Sequence, residues 1–231
     1  MLKAFIRKAV RAFGYEIQPA VPSESRWDAE YLGQLTPPIA TCIDVGVGTG
    51  TQSLYRSFPD AFLVLVEPLS EYEDGLKKIL STRNGAYFLT AVGANEETRA
   101  IVVEPDAMLR SSFLERTALT RSGGTIEQRS VAVTTLDNLL EKKAFEAPFG
   151  LKIDTEGFEL EVLKGSTRSL QSCAFVIAEV SYAERFEGGY SFSDLTEFMS
   201  QHGFYLHEIL QVAGTPVLYF DALFLRVASA D

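Results

Sequence analysis

The stretch Asp44-Val45-Gly46-Val47-Gly48-Thr49-Gly50 sets glycines at alternate positions behind an aspartate and a short apolar run. Glycines so spaced let a strand turn sharply into a helix and bring backbone N–H groups close to a ligand. Glu67 follows Gly46 at about 20 residues, the distance at which an acid holds a ribose diol in nucleoside-binding α/β folds. Asp154 and Glu179 close two later apolar runs, with Glu156 and Glu159 just past Asp154. If those runs are strands of one parallel sheet, the acids at their carboxyl ends line a single acidic cleft, because such sheets bind ligands there.

That acidity selects among cofactors. A dinucleotide rests its pyrophosphate on G-x-G-x-x-G, whereas Gly46, Gly48 and Gly50 form G-x-G-x-G, and Asp44 would repel the phosphates. S-adenosylmethionine has no phosphate and carries a sulfonium and an ammonium, so an acid-rimmed pocket suits it. The expected cofactor-binding residues are Asp44, Gly46, Gly48, Gly50, Ser53 and Glu67. An NAD-dependent oxidoreductase on a Rossmann fold, or a noncatalytic nucleoside-binding scaffold, stays open on the same residues, since fold does not fix function.

The elements that must hold these residues follow from periodicity. ATCIDVG, AFLVLVE, AYFLTAVG, FGLKIDTEG and AFVIAEVSY are apolar runs that read as strands. TQSLYRSF, SEYEDGLKKIL, FELEVLKGSTRSL and FSDLTEFMSQHG have helical spacing, the last with Gly203 as its cap. Unbroken apolar strands alternating with helices imply a parallel sheet covered on both faces. The last runs, around Gly214-Thr215-Pro216, read as an antiparallel hairpin. The expected fold is α/β, a Rossmann-like, doubly wound, mostly parallel sheet with an antiparallel C-terminal hairpin. Residues 94–133 depart from the alternation: TRAIVVEP and QRSVAVTTL read as strands flanking a polar loop, an insertion near the ligand edge. Thr134 and Asp137 stand at capping-box spacing before the next helix.

Composition narrows the rest. A net charge of −10 argues against nonspecific nucleic-acid binding. Cys42 and Cys173 lie in apolar strands and read as buried free thiols, which suits a reducing, cytoplasmic setting. No apolar run reaches the ~18 residues of a membrane span. Residues 1–13 instead form a basic amphipathic helix, with Lys3, Arg7, Lys8 and Arg11 against Phe5, Ile6, Val10 and Phe13. It either packs on protein or makes peripheral contact with an anionic membrane, at the inner face, and it is a poor signal peptide. Residues 1–39 are thus an N-terminal helix and linker or cap, and 40–231 the catalytic domain. Oligomeric state is not encoded in any pattern here.

IDVGVGTGTQS, VEP, VAVTTLD, LKIDTEGFELEVLKG and IAEVS occur in the order and spacing of FkbM-type methyltransferases, which the chain resembles over residues 40 to 185. LKIDTEGFELEVLKG is the most specific segment. Val47-Gly48 stands where that family often has Ala-Asn, and Ser181 follows Glu179 and Val180 where it often has a histidine. The resemblance implies a class I methyltransferase fold and O-methylation of a hydroxyl on a sugar, glycan or other hydroxylated small molecule. An alcohol must lose its proton during transfer, to a base or under metal polarisation. Asp154 is the first candidate base, with Glu156 and Glu179 assisting. Lys152 shares a strand face with Asp154, as an ion-pair partner of Asp44 or Asp154 or as a deprotonated base. If a metal such as Mg²⁺ takes part, Asp154, Glu156 and Glu179 are its expected ligands. Tyr182, Phe186 and Tyr190, in the loop after Glu179, either stack on a sugar or pack the loop down.

Overall fold

The computed structural model describes residues 29–141, 143–213 and 217–228. The amphipathic helix expected at 1–13, most of the segment after it and the turn at Gly214, Thr215 and Pro216 lie outside these.

Helix α1 (Ala29–Leu35) leads into β1 (Thr41–Val45), which is buried at every position. The glycine turn and α2 (Gln52–Ser57) follow, then β2 (Phe62–Val66), α3 (Glu73–Leu80) and β3 (Gly85–Phe88). β1 pairs in parallel with β2, and β2 with β3. The strands lack polar alternation because both faces are covered. Ile43, Val45, Val64 and Leu151 join one core cluster, Cys42, Leu63, Leu65 and Phe175 the other. Each such buried side chain stabilises the fold by about 1.5–3 kcal/mol.

AYFLTAVG does not stay one strand. It breaks at Leu89 and Thr90, where the Thr90 hydroxyl donates to the Ala132 carbonyl at 3.0 Å. β4 (Ala91–Val92) then joins a separate sheet with β5 (Glu97–Val103) and β6 (Glu127–Thr134), in the order β4-β6-β5. The insertion is therefore a small sheet whose connecting loop, residues 104–126, carries its own turns. Ile101 and Val103 anchor it on Leu69.

Helix α4 (Leu136–Glu141) starts one residue later than the capping pattern places it. The Thr135 hydroxyl, not Thr134, accepts from the Asn138 N–H at 3.0 Å. Asp137 instead accepts from the N–H groups of Arg168 and Ser169, holding a distant turn. β7 (Phe149–Ile153), α5 (Glu159–Lys164), β8 (Cys173–Ser181), α6 (Phe192–Gln201), β9 (Phe204–Ala213) and β10 (Tyr219–Arg226) complete the chain. Ser191 and Asp194 form a capping box on α6, and Gly203 follows its cap at φ +79°. The large sheet runs β3-β2-β1-β7-β8-β10-β9. The hairpin is antiparallel as expected, with β10 folded between β8 and β9. Strand order reverses between β1 and β7, which creates the crevice where open α/β sheets bind ligands. Cys42 and Cys173 are free and buried, and burial pushes the Cys173 thiol up to about 12.

Candidate active site

A cavity of about 280 Å³ opens at that crevice, walled by the glycine turn, the ends of β1, β2 and β7, and the insertion. This lies near the lower limit of ~300 Å³ for small-molecule pockets. Gly46 holds φ +77°, and a Cβ there would lie 1.8 Å from the Asp154 carbonyl oxygen. The turn after β1 and the turn after β7 thus press directly together, and only glycine fits. Gly48 has φ +49° and lies under Leu109, whose Cδ2 would stand 2.5 Å from an added Cβ. Its N–H donates to Glu67 Oε2 at 2.9 Å, and the Leu69 N–H donates to Glu67 Oε1 at 3.0 Å. Glu67 is only 5% exposed, and burial raises its pKa against those two donors.

Two expected cofactor residues do not reach the cavity wall. Asp44 is wholly buried within β1, where the Tyr55 hydroxyl donates to its Oδ2 at 2.5 Å. Ser53 lies on α2, and its hydroxyl accepts from Arg56 at 3.4 Å. Gly50 lines the wall with Gly46 and Gly48, and Thr49 and Thr51, which were not among the expected residues, join them.

The opposite end of the cavity is acidic. Asp154 follows β7, and its side chain keeps 33% of its exposure. Lys152 Nζ donates to Asp154 Oδ2 at 2.9 Å and stands 3.7 Å from Asp44 Oδ1. Burial alone would lower the Lys152 pKa, but Asp154 and Asp44 carry it above the ordinary value. Lys152 thus takes the ion-pair arrangement, with Asp154 as its nearer partner and Asp44 beyond. Glu179 is not at a strand end; it sits inside β8, two residues before Ser181, and still lines the cavity. Burial, and then Asp154 and Glu156, push its carboxyl to about 9 against the pull of Arg185.

Glu156 has φ 51°, a left-handed backbone costly for a residue with a side chain, and such strain gathers at functional sites. Burial raises its pKa, while Arg185 and Arg116 oppose the rise. Arg185 donates to Glu156 Oε2 at 2.5 Å and to Glu179 Oε1 at 2.7 Å, and Arg116 donates to Glu156 Oε2 at 3.1 Å. Guanidinium groups already compensate two of the three expected metal ligands. Among the described residues no group of three or more His, Cys, Asp or Glu side chains converges as a metal site, and nothing in the geometry supports Mg²⁺. Glu159 is structural: it accepts from the Thr155 and Gly157 N–H groups and from the Tyr190 hydroxyl. Phe186 is buried and Tyr190 is tied to Glu159, so these two pack the loop, while Tyr182 is 67% exposed.

Arg116 and Arg185 are the residues that sequence reasoning missed. Each lies in a polar loop with no periodicity, and their glutamate partner is 40 and 29 residues away. An arginine that follows a glutamate in a loop gives no local signal of burial.

Residues 44–206 match the family described as the methyltransferase FkbM domain. The hexuronic acid methyltransferase AglP of Haloferax volcanii is 28% identical over 158 residues. That match covers 68% of this chain and 60% of AglP, so the chain spans about three fifths of that relative. A methyltransferase FkbM from Methylobacillus flagellatus superposes with a TM-score of 0.51 at 16% identity, over 81% of this chain and 44% of that one. Fibrillarin of Aeropyrum pernix, solved with S-adenosyl-L-methionine bound, superposes with a TM-score of 0.50 at 10% identity, over 86% and 76%. These likenesses bear out the mixed α/β sheet of the class I methyltransferases.

Proposed function

Because the chain belongs to the methyltransferase FkbM family, we propose that it moves the methyl group of S-adenosylmethionine to a sugar hydroxyl whose proton Asp154 accepts. One observation carries the cofactor. Glu67, Asp154, Glu156 and Glu179 line the cavity, and the basic side chain among its lining residues, Lys152, is already paired. Carboxyl oxygens able to accept hydrogen bonds, with Lys152 already committed, fit a ligand bearing a sulfonium and an ammonium better than a pyrophosphate, which counts against the dehydrogenase reading.

In this reading Glu67 takes the ribose hydroxyls, which is supported by its being a buried acceptor fixed by two N–H groups. Leu69, Tyr72, Ile101 and Met108 supply an apolar flank for the adenine. Gly46 and Gly48 let the main chain approach the methionyl part. When bound, S-adenosylmethionine supplies an activated methyl group. The chain's remaining tasks are to align the acceptor oxygen and receive its proton. Asp154 suits the second task because it is the most exposed of the acids at that end, and Lys152 fixes its orientation. Glu156 and Glu179 assist as hydrogen-bond acceptors for neighbouring hydroxyls.

The name of the AglP relative points to a sugar acid as one acceptor class. Calorimetric titration with S-adenosylmethionine, NAD and a Glu67→Ala variant tests the reading. Binding of S-adenosylmethionine that the variant loses supports it, and binding of NAD alone overturns it. Methylation of glucuronic acid against glucose then tests the acceptor class. No helix among the described residues is long and apolar enough to cross a membrane. Peripheral contact through residues 1–13 is a separate proposal, checked by loss of anionic-vesicle binding when they are deleted.

A further inference from the structure

The acid end of the cavity is built from parts far apart in the chain. Glu156 comes from the turn after β7, Glu179 from β8, and the wall opposite from the insertion. Arg185 bonds to both glutamates and, behind the cavity wall, to the insertion at Thr117 and Thr120. It is 4% exposed, bridges Glu156 and Glu179 through separate nitrogens, and lies over the Tyr219 ring at 4.1 Å and the Phe186 ring at 5.0 Å. Its carbonyl accepts from the Thr117 N–H at 3.0 Å and from the Thr120 hydroxyl at 2.8 Å. Neighbouring bonds continue the seam: the Thr117 hydroxyl donates to the Glu184 carbonyl, and the Glu187 N–H to the Glu115 carbonyl. Phe186 presses on Gly157, where a Cβ would meet its ring at 2.5 Å, so the turn bearing Glu156 has no freedom to retreat.

We propose that Arg185 is the positioning residue of the acceptor end: its guanidinium holds Glu156 and Glu179 as a fixed pair facing the cavity, and its main chain ties the insertion down at Thr117 and Thr120. Asp154 then meets the acceptor with two oriented hydrogen-bond acceptors beside it, an arrangement that suits a substrate with adjacent hydroxyls. This assignment of purpose rests on the reading of the acid end as the acceptor end. The bridge does not. The shared guanidinium favours the ionised form of both buried carboxyls, so losing it raises the titration midpoint of each.

The test is a pH titration of the unliganded protein labelled with ¹³C at the glutamate carboxyls, with signals assigned by Glu156→Gln and Glu179→Gln. In Arg185→Gln both midpoints rise by about one pH unit or more. In Arg185→Lys one of the two returns toward its original value, because an ammonium reaches one carboxylate at a time. Both midpoints unchanged in either variant would overturn the proposal, and if the glutamine variant does not fold, the lysine variant decides by the same criterion. Calorimetry with S-adenosylmethionine on the wild-type sample separates the two claims. Absent binding sinks the functional reading and leaves the titration standing, whereas intact binding with unmoved midpoints sinks this proposal alone.

Discussion

Asp154, Glu67 and Glu179 are carboxylates of one cavity in three different settings, and each setting predicts a different measurement. Asp154 is partly exposed and paired with Lys152. Asp154→Asn keeps the shape and removes the proton acceptor, so kcat should fall by about 10²–10⁴ with cofactor affinity nearly unchanged. Glu67 is held by two backbone donors. Glu67→Gln keeps one acceptor oxygen and turns the other into a donor facing an N–H. S-adenosylmethionine affinity should drop by roughly 10- to 100-fold by calorimetry, the worth of a charged hydrogen bond at about 1.5–3 kcal/mol. Glu179 is raised to about 9, so the folded protein retains a proton there that the unfolded chain gives up at ordinary carboxylate pH. The stability linked to that proton is complete below the ordinary carboxylate pKa and is lost as pH rises toward the folded value. Urea midpoints from about pH 5 to about pH 9 should therefore fall more steeply for the wild type than for Glu179→Gln.

At the scale of elements, the turns after β1 and β7 behave as one part, because Gly46 lies against the Asp154 carbonyl. Gly46→Ala combines a positive φ with a clash against backbone, and should cost about 3 kcal/mol or more in chemical denaturation. The same element shows what a sequence does and does not display. Alternation of apolar runs with helices made the parallel sheet legible, and the alternate glycines located the crevice. The break at Leu89 and Thr90 was not legible, since Thr90 leaves the run through a bond to Ala132, 42 residues away. Nor was the interior position of Glu179, because an apolar run does not announce that its strand continues past an acid. Asp44 was readable as part of the site but not as buried beneath it: its concealment depends on Tyr55, which helical periodicity alone marks only as a core residue. The capping pattern at Thr134 failed by one residue for a related reason, as Asp137 was recruited by a turn 31 residues on.

For the whole molecule, the large sheet and the insertion differ in how they are held. β1, β2 and β8 contribute to both core clusters and β7 to one of them, whereas the insertion rests on a small cluster around Leu69, Ile101 and Val103. Hydrogen exchange should be slow across the four central strands and fast in residues 104–126. S-adenosylmethionine should slow it there, since Met108, Leu109 and Phe113 line the cavity. Exchange in the loop unaffected by the cofactor would show that the insertion does not close on it.

The seam between residues 115–120 and 184–187 bears on how such a protein tolerates the exchange of its segments. Each side supplies donors to carbonyls on the other, and Arg116 and Arg185 converge on the same glutamate. An insertion grafted from a relative would arrive facing a mismatched partner strip, with its carbonyls unpaired and Glu156 left to one guanidinium. A graft that carries both strips together would bring its own seam. A recombination breakpoint placed anywhere between the two segments in the sequence therefore separates what the folded protein treats as a single piece.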